Sequence, residues 1–208
     1  INTQKYMKSF DFKDKKVLIR VDFNVPQDEN LAVTDNTRIM AAAPTIKKVL
    51  AEGGIPVLMS HLGRPGGERV SKMSLSALVG EVENAVGATV HFAEDCIGQV
   101  AEAVVAKAKP GEAVLLENLR YYKEETSGDE GFAKALAALG DIYLNDAFGT
   151  AHRAHASTAI IAQFFSSENK GFGDLMNAEV ESISKALGSD RQTTVAIIGG
   201  AKVSSKIG

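Results

Sequence analysis

Short apolar runs alternate with longer amphipathic stretches along this chain. In the longer stretches, apolar residues recur at helical spacing, and predicted helices lie within 35–54, 74–87, 97–111, 128–140 and 177–188. The short runs have the length of β-strands, and several are rich in β-branched residues. They are KVLIRVDF (16–23), IPVLMS (55–60), ATVHFA (88–93), EAVLLE (112–117), DIYLND (141–146) and TTVAII (193–198). This alternation predicts an α/β fold, a Rossmann-like parallel sheet with helices on both faces.

The last predicted helix separates this alternating region from the final apolar run. A polar segment, GSDRQTT (188–194), follows the helix, and the run at 193–198 comes after it. We interpret the helix as a connector between two units. The predicted organisation is a first domain over 1–173, a connector helix over 174–189 and the beginning of a second α/β domain over 190–208, which supplies its first strand.

Composition and charge exclude several classes of protein. The net charge is −3, which gives no general attraction to nucleic acid or to membrane surfaces. No apolar run reaches the length of a membrane span, and the N-terminus does not resemble a signal peptide. The single cysteine, Cys96, excludes an internal disulfide and suits a reducing compartment. We therefore expect a cytoplasmic protein without nucleic-acid or membrane partners.

Polar residues follow most of the predicted strands, at the edge of a parallel sheet where ligands bind. We single out Asp22, Phe23 and Asn24 after the first strand, His61 and Arg64 after the second, Arg120 after the fourth, and His152, Arg153 and His155 after the fifth. Arg38 lies near the start of the first helix. Topology is expected to bring four arginines and up to three histidines to one edge of the sheet.

Arginine suits bidentate recognition of phosphate and carboxylate. Four arginines at one place would repel each other without an anion, so the expected ligand is small and multiply negative. Asp22 and Asn24 have two possible roles: they accept hydrogen bonds from a ligand hydroxyl, or they orient the arginines. For any single arginine the alternative is a surface ion pair, and His155 has a structural role as its alternative.

The segment GGAKVSSK (199–206) lacks the spacing of a Walker A loop. A strand, a glycine turn and a helix start nevertheless form an anion site on general grounds, with Lys202 and Lys206 on one helix face. The alternative is a tight turn with two solvated lysines. The stretch KEETSGDE (123–130) is predicted to be a solvated loop.

Five segments together resemble one family. RVDFNVP (20–26), SHLGRP (60–65), LLENLR (115–120), DAFGTAHRAHAST (146–158) and IGGAKVSSKIG (198–208) occur in the order and at the distances found in phosphoglycerate kinases. The resemblance runs from near residue 15 to the last residue. It implies two Rossmann-like domains joined by a helix and a hinge. The first binds 3-phosphoglycerate or 1,3-bisphosphoglycerate, and the second binds Mg-ADP or Mg-ATP as co-substrate.

The resemblance also implies roles for individual residues. Arg38 and Lys202 would flank the transferred phosphoryl group and count as catalytic, and Gly200, Lys202 and Lys206 would contact the nucleotide. No residue of the chain is predicted to bind the metal. The substrate contacts are Asp22, Phe23, Asn24, Arg38, His61, Leu62, Gly63, Arg64, Arg120 and Arg153.

The family's chains are about twice as long as this one, so the resemblance indicates a fragment, or part of a longer chain. We expect these residues to form a monomer that binds the acid without turning it over. A non-catalytic domain that senses a phosphorylated acid is the main alternative, because it would bind the same anion. A Schiff-base lyase that uses Lys202 is a more remote one, since it requires that lysine to lie in an apolar pocket.

Overall fold

Residues 10–187 are described by a computed structural model, and their centre is a six-stranded sheet. The strands are β1 (Lys16–Arg20), β2 (Ile55–Met59), β3 (Val90–Ala93), β4 (Ala113–Leu116), β5 (Ile142–Asn145) and β6 (Lys170–Phe172). Their order across the sheet is β3-β4-β2-β1-β5-β6, and all neighbours are parallel. The predicted parallel α/β sheet is therefore confirmed, whereas the predicted strand at 193–198 lies outside the described residues.

Strand β6 was not predicted from the sequence. It contains three residues, Lys-Gly-Phe, and pairs with β5 at the edge of the sheet. Such a short segment with a charge and a glycine has neither the length nor the apolar content of a typical strand. Its strand geometry comes from pairing with β5, which is distant along the chain.

Helices cover both faces of the sheet. They are α1 (Thr37–Ala51), α2 (Val79–Val86), α3 (Gly98–Lys107), α4 (Lys123–Ser127), α5 (Glu130–Ala137) and α6 (Asp174–Leu187). Side chains of α1 and α2 pack on one face, and those of α3 and α5 pack on the other. Within β1, Val17 and Ile19 join the first of these clusters while Leu18 joins the second. The sheet is buried on both faces, as the nearly continuous apolar strands predicted. No helix of the described part is long and apolar enough to cross a membrane.

The predicted solvated loop at 123–130 was wrong. This segment contains α4 and the start of α5, and Asp129 caps α5 by accepting a hydrogen bond from the Phe132 N–H at 2.7 Å. The side chain of Glu125 is fully buried, and its hydrogen-bond partner Ser157 lies about thirty residues further along the chain. From the sequence alone, a run of charged residues indicates a solvated loop. No local pattern shows that one of these residues is buried against a partner far along the chain.

The last described helix begins at the end of the sheet. Asp146, which follows β5 directly, is buried, and its Oδ1 accepts a hydrogen bond from the Met176 N–H in the first turn of α6. Its own N–H donates to the backbone oxygen of Arg20 at 2.8 Å. Helix α6 is therefore attached to the same strand ends that carry the predicted site.

Candidate functional site

A cavity of about 270 Å³ lies beyond the carboxyl ends of β1, β2, β4 and β5. Most of the predicted substrate-binding residues line it: Asp22, Asn24, Arg38, His61, Gly63, Arg64, Arg120 and Arg153. The predicted convergence of four arginines at one edge of the sheet is thus observed, while their binding roles stay predictions. Gly149 and Thr150 line the cavity as well and were missed. They belong to the same loop motif as Arg153, but neither carries a charge that would mark it.

The side chains of Phe23 and Leu62 do not line this cavity, because they lie in the hydrophobic core. Phe23 is fully buried, and its backbone N–H donates to Ser60 Oγ at 2.8 Å. The backbone oxygen of Leu62 accepts a hydrogen bond from Asn118 Nδ2 at 2.7 Å. A substrate contact from either residue therefore remains a prediction about backbone atoms.

Asp22 and Asn24 both bind protein groups at the cavity wall. A carboxylate oxygen of Asp22 accepts a hydrogen bond from Arg38 Nη1 at 2.6 Å, and the Arg38 side chain is 52% exposed. Asn24 Oδ1 accepts from the Gly63 N–H at 2.8 Å. Of the two roles considered for these residues, orientation is supported by these contacts with protein groups. Asp22 orients Arg38, and Asn24 holds the loop that follows β2.

Gly63 connects three of the loops around the cavity. Its N–H donates to Asn24, and its backbone oxygen accepts a hydrogen bond from Arg120 Nη1 at 3.0 Å. The backbone has a φ of 64°, and a β-carbon here would lie 2.8 Å from Met73 Sδ. The left-handed conformation favours glycine, and a larger residue would also have to displace the Met73 side chain.

Glu117 and Asn118, which precede Arg120, hold its loop in place and were not predicted as part of the site. The buried carboxylate of Glu117 accepts hydrogen bonds from the Leu75 N–H, the Asn118 N–H and the Ser74 hydroxyl. Asn118 Oδ1 accepts from the Arg120 N–H at 3.0 Å. Both lie in the LLENLR motif, and a polar pair directly after a buried strand was the signal that could have identified them.

The charge density around the cavity is high. Burial lowers the pKa of Arg120, and the positive charges of Arg20 and Arg153 lower it further. The Nε atom of Arg120 is buried and has no hydrogen-bond partner among the described residues. An anion placed here would relieve this repulsion and supply hydrogen-bond acceptors.

His61 is a neutral hydrogen-bond donor in this site. Its Nδ1 lies 3.2 Å from Nη2 of the buried Arg20. Because a guanidinium only donates, Nδ1 must accept, which leaves the ring proton on Nε2. Burial lowers the pKa of His61 to about 2, and the charges of Arg20 and Arg120 add to the effect. The imidazole is therefore uncharged throughout the physiological pH range.

The low pKa of His61 predicts how the unfolding free energy depends on pH. The unfolded histidine has a pKa of about 6.5, so below that pH the unfolded chain binds a proton that the folded chain does not. The contribution is complete above pH 6.5 and decreases as pH falls toward 2. Between pH 7 and pH 5, urea unfolding should show that the unfolding free energy of His61→Gln falls less than that of the unmodified protein, by about 2 kcal/mol.

The control for this experiment is His152→Gln, which replaces an exposed histidine whose ring lies beside Arg153 rather than beside a carboxylate. It should keep the pH dependence of the unmodified protein. Equal pH dependence in His61→Gln and the unmodified protein would contradict a buried, neutral His61.

The other two candidate histidines, which follow β5, have different positions. His152 is exposed, and its Nε2 lies 3.3 Å from Arg153 Nε. His155 is buried and lines a neighbouring cavity of about 500 Å³, which shares Arg64, Arg120 and Arg153 with the first. Only one of the three candidate histidines, His61, lines the first cavity.

The predicted nucleotide contacts Gly200, Lys202 and Lys206 lie outside the described residues. Within residues 10–187, no cluster of histidine, cysteine, aspartate and glutamate side chains has the arrangement of a metal site. The described cavity is lined mainly by arginines, one neutral histidine and backbone groups, and the positive charge of this lining favours an anion.

Comparison with known proteins identifies one family that this chain resembles. The model of the family "Phosphoglycerate kinase" matches residues 7–208. The phosphoglycerate kinase of Moorella thermoacetica is 50% identical over 201 residues, which cover 97% of this chain and 50% of that protein. The cytosolic phosphoglycerate kinase of Nicotiana tabacum is 48% identical over 202 residues, with 97% and 50% covered.

A solved structure has the same fold. The phosphoglycerate kinase of Coxiella burnetii superposes with a TM-score of 0.83 at 36% identity, covering 97% of this chain and 50% of that one. This chain spans about half the length of the curated relatives it matches. The family match over nearly all of its residues, together with the strand-end cavity and its four arginines, shows that the chain belongs to the phosphoglycerate kinase family.

Proposed function

We propose that these residues provide the acid-binding half of a phosphoglycerate kinase. The single observation that carries the proposal is the convergence of four arginines on a cavity of about 270 Å³. Drug-sized ligands occupy pockets of about 300–1,000 Å³, so this cavity suits a smaller molecule. A three-carbon acid with one or two phosphates, 3-phosphoglycerate or 1,3-bisphosphoglycerate, has the size and charge that the cavity favours.

The proposed reaction of the whole enzyme transfers a phosphoryl group from 1,3-bisphosphoglycerate to ADP, giving 3-phosphoglycerate and ATP in glycolysis. Such a transfer depends mostly on positioning and charge neutralisation, and the attacking oxygen belongs to a substrate. A site whose arginines can position the substrate and neutralise its charge supports this chemistry. Arg38, half-exposed at the cavity wall and oriented by Asp22, is proposed to contact the moving group.

The second substrate is Mg-ADP or Mg-ATP. Gly200 and Lys206 are proposed to contact it, and Lys202 to contact the phosphoryl group in transfer. Helix α6 is proposed as the connector between the acid-binding domain and a nucleotide-binding domain that starts near residue 190. The protein is further proposed to act as a monomer in the cytoplasm, with small-molecule substrates rather than nucleic acid or membranes.

A binding measurement tests the proposal. Calorimetry with the 208-residue protein should detect 3-phosphoglycerate binding without nucleotide, because the lining arginines all precede residue 154. Affinity should fall as salt rises, since three of the four arginines are exposed and their charges are screened. The same protein should form no ATP from 1,3-bisphosphoglycerate and ADP.

Two arginine variants distinguish cavity binding from general charge. Arg64→Ala removes a cavity arginine, and Arg69→Ala removes an exposed arginine that pairs with Asp95 instead. Only Arg64→Ala should weaken binding. No heat and no shift of arginine resonances at millimolar ligand would contradict the proposal, and equal losses in both variants would show nonspecific attraction.

A further inference from the structure

Glu125 joins helix α4 to the loop that carries Arg153 and His155. Its carboxylate is fully buried, although Glu124 and Thr126 on either side are exposed. One carboxylate oxygen accepts a hydrogen bond from Ser157 Oγ at 2.6 Å, and the other accepts from the Ser157 N–H at 3.0 Å. The backbone oxygen of Glu125 also accepts from the Ala156 N–H at 2.9 Å. One residue thus fixes this loop through both its side chain and its main chain.

The Ser157 hydroxyl extends this connection to the cavity. It donates to Glu125 and accepts from Nε of Arg20 at 2.8 Å. The Nη2 atom of Arg20 lies 4.0 Å from the Glu125 carboxylate and 3.2 Å from His61 Nδ1. A continuous chain of contacts, Glu125–Ser157–Arg20–His61, therefore runs from α4 to a residue that lines the cavity.

A buried ion pair of this kind is weak evidence for stability, because the cost of desolvating two charges offsets their attraction. Buried charges that are fully hydrogen-bonded can instead specify one arrangement of their surroundings. Here the surroundings are the His61 ring and the loop of Arg153. The carboxylate of Glu125 also repels any anion nearby, so its electrostatic effect on substrate binding is unfavourable.

We propose that Glu125 is a positioning residue of the acid-binding cavity, which orients His61 through Ser157 and Arg20 and holds the Arg153 loop in register with Arg120. The proposal rests on the proposed function for its ligand, 3-phosphoglycerate. It predicts a change in anion affinity opposite to the one expected from charge alone. Removing the negative charge should weaken binding of an anion, although electrostatics alone would strengthen it.

The test compares Glu125→Gln with Glu124→Gln in the 208-residue protein. Both changes remove one negative charge from α4, but Glu124 is exposed and its carboxylate takes no part in the network. Calorimetry should show that Glu125→Gln binds 3-phosphoglycerate about tenfold more weakly, as expected for the loss of one charge-assisted hydrogen bond in the network. Glu124→Gln should change the affinity less than about twofold. Equal or tighter binding by Glu125→Gln would overturn the proposal.

A second measurement needs no ligand. Nitrogen-15 spectra should show His61 protonated at Nε2 alone in the unmodified protein and in Glu124→Gln, and a mixture of the two tautomers in Glu125→Gln. If the unmodified protein does not bind 3-phosphoglycerate, the proposed function fails, and these spectra still decide the positioning role. An unchanged His61 tautomer in Glu125→Gln would then overturn it.

A third variant covers the case in which Glu125→Gln does not fold. Ser157→Ala keeps both buried charges and removes only the hydroxyl that joins them. It should weaken binding about threefold to tenfold and produce the same tautomer mixture. Unchanged binding with an unchanged His61 tautomer in Ser157→Ala would overturn the proposal independently.

Discussion

Replacing Arg120 by alanine is expected to weaken 3-phosphoglycerate binding by about 2–5 kcal/mol, or about 30-fold to several thousandfold in Kd. The guanidinium is partly buried and is aimed by the hydrogen bond from Nη1 to the Gly63 oxygen. It lines both the smaller and the larger cavity, and its pKa is lowered by burial and by the charges of Arg20 and Arg153. An anion gains most beside a cation that is poorly solvated and has few competing partners.

Two further variants sharpen this prediction, with calorimetry as the measurement. Arg120→Lys keeps the charge but loses the planar fork, so it should recover only part of the affinity. Arg69→Ala removes an arginine outside both cavities and should leave the affinity unchanged. If the affinity of Arg120→Ala stays within about threefold of that of the unmodified protein, this residue is not a principal anion contact.

Replacing Arg20 by methionine should lower the free energy of unfolding by about 3–5 kcal/mol, measured by urea unfolding at pH 7. Arg20 and Glu125 are both fully buried, and their charged atoms are 4.0 Å apart. Removing one partner leaves the Glu125 carboxylate inside the protein without its neighbouring cation. The cost of that unpaired charge, rather than the value of the lost contact, dominates the expected change.

The double variant Arg20→Met/Glu125→Leu is the informative comparison. It removes both charges and replaces them with apolar side chains, which is often close to neutral for stability. It should therefore be more stable than Arg20→Met alone, and the two single effects should not add. Additive losses in the double variant would show that the two side chains act independently.

The general position of the candidate site could be predicted from the sequence because of how parallel sheets are built. The residues after each strand meet at one edge, so His61, Arg120 and Arg153 were expected together although they are far apart in sequence. Strand pairing is long-range, but the apolar runs that pair were recognisable locally. Because the apolar runs mark where each parallel strand ends, they also indicate where the charged residues that follow those strands meet.

Other features depended on contacts that no local pattern reveals. Glu125 lies in a run of charged and polar residues, and only its approach to Ser157 makes it a buried group. Gly149 and Thr150 contribute to the cavity wall through the shape of a loop, which residue type alone did not indicate.

The backbone of Gly63 restricts how this site can change. It accepts from Arg120 and donates to Asn24, so three loops after three different strands depend on one pair of backbone groups. Substitutions at Asn24 and Arg120 should therefore show strong epistasis, because the first one already loosens the loop that the second one needs. We therefore expect laboratory evolution of this cavity to need coordinated changes in the three loops, because a change in one loop alone would remove contacts that hold the other two.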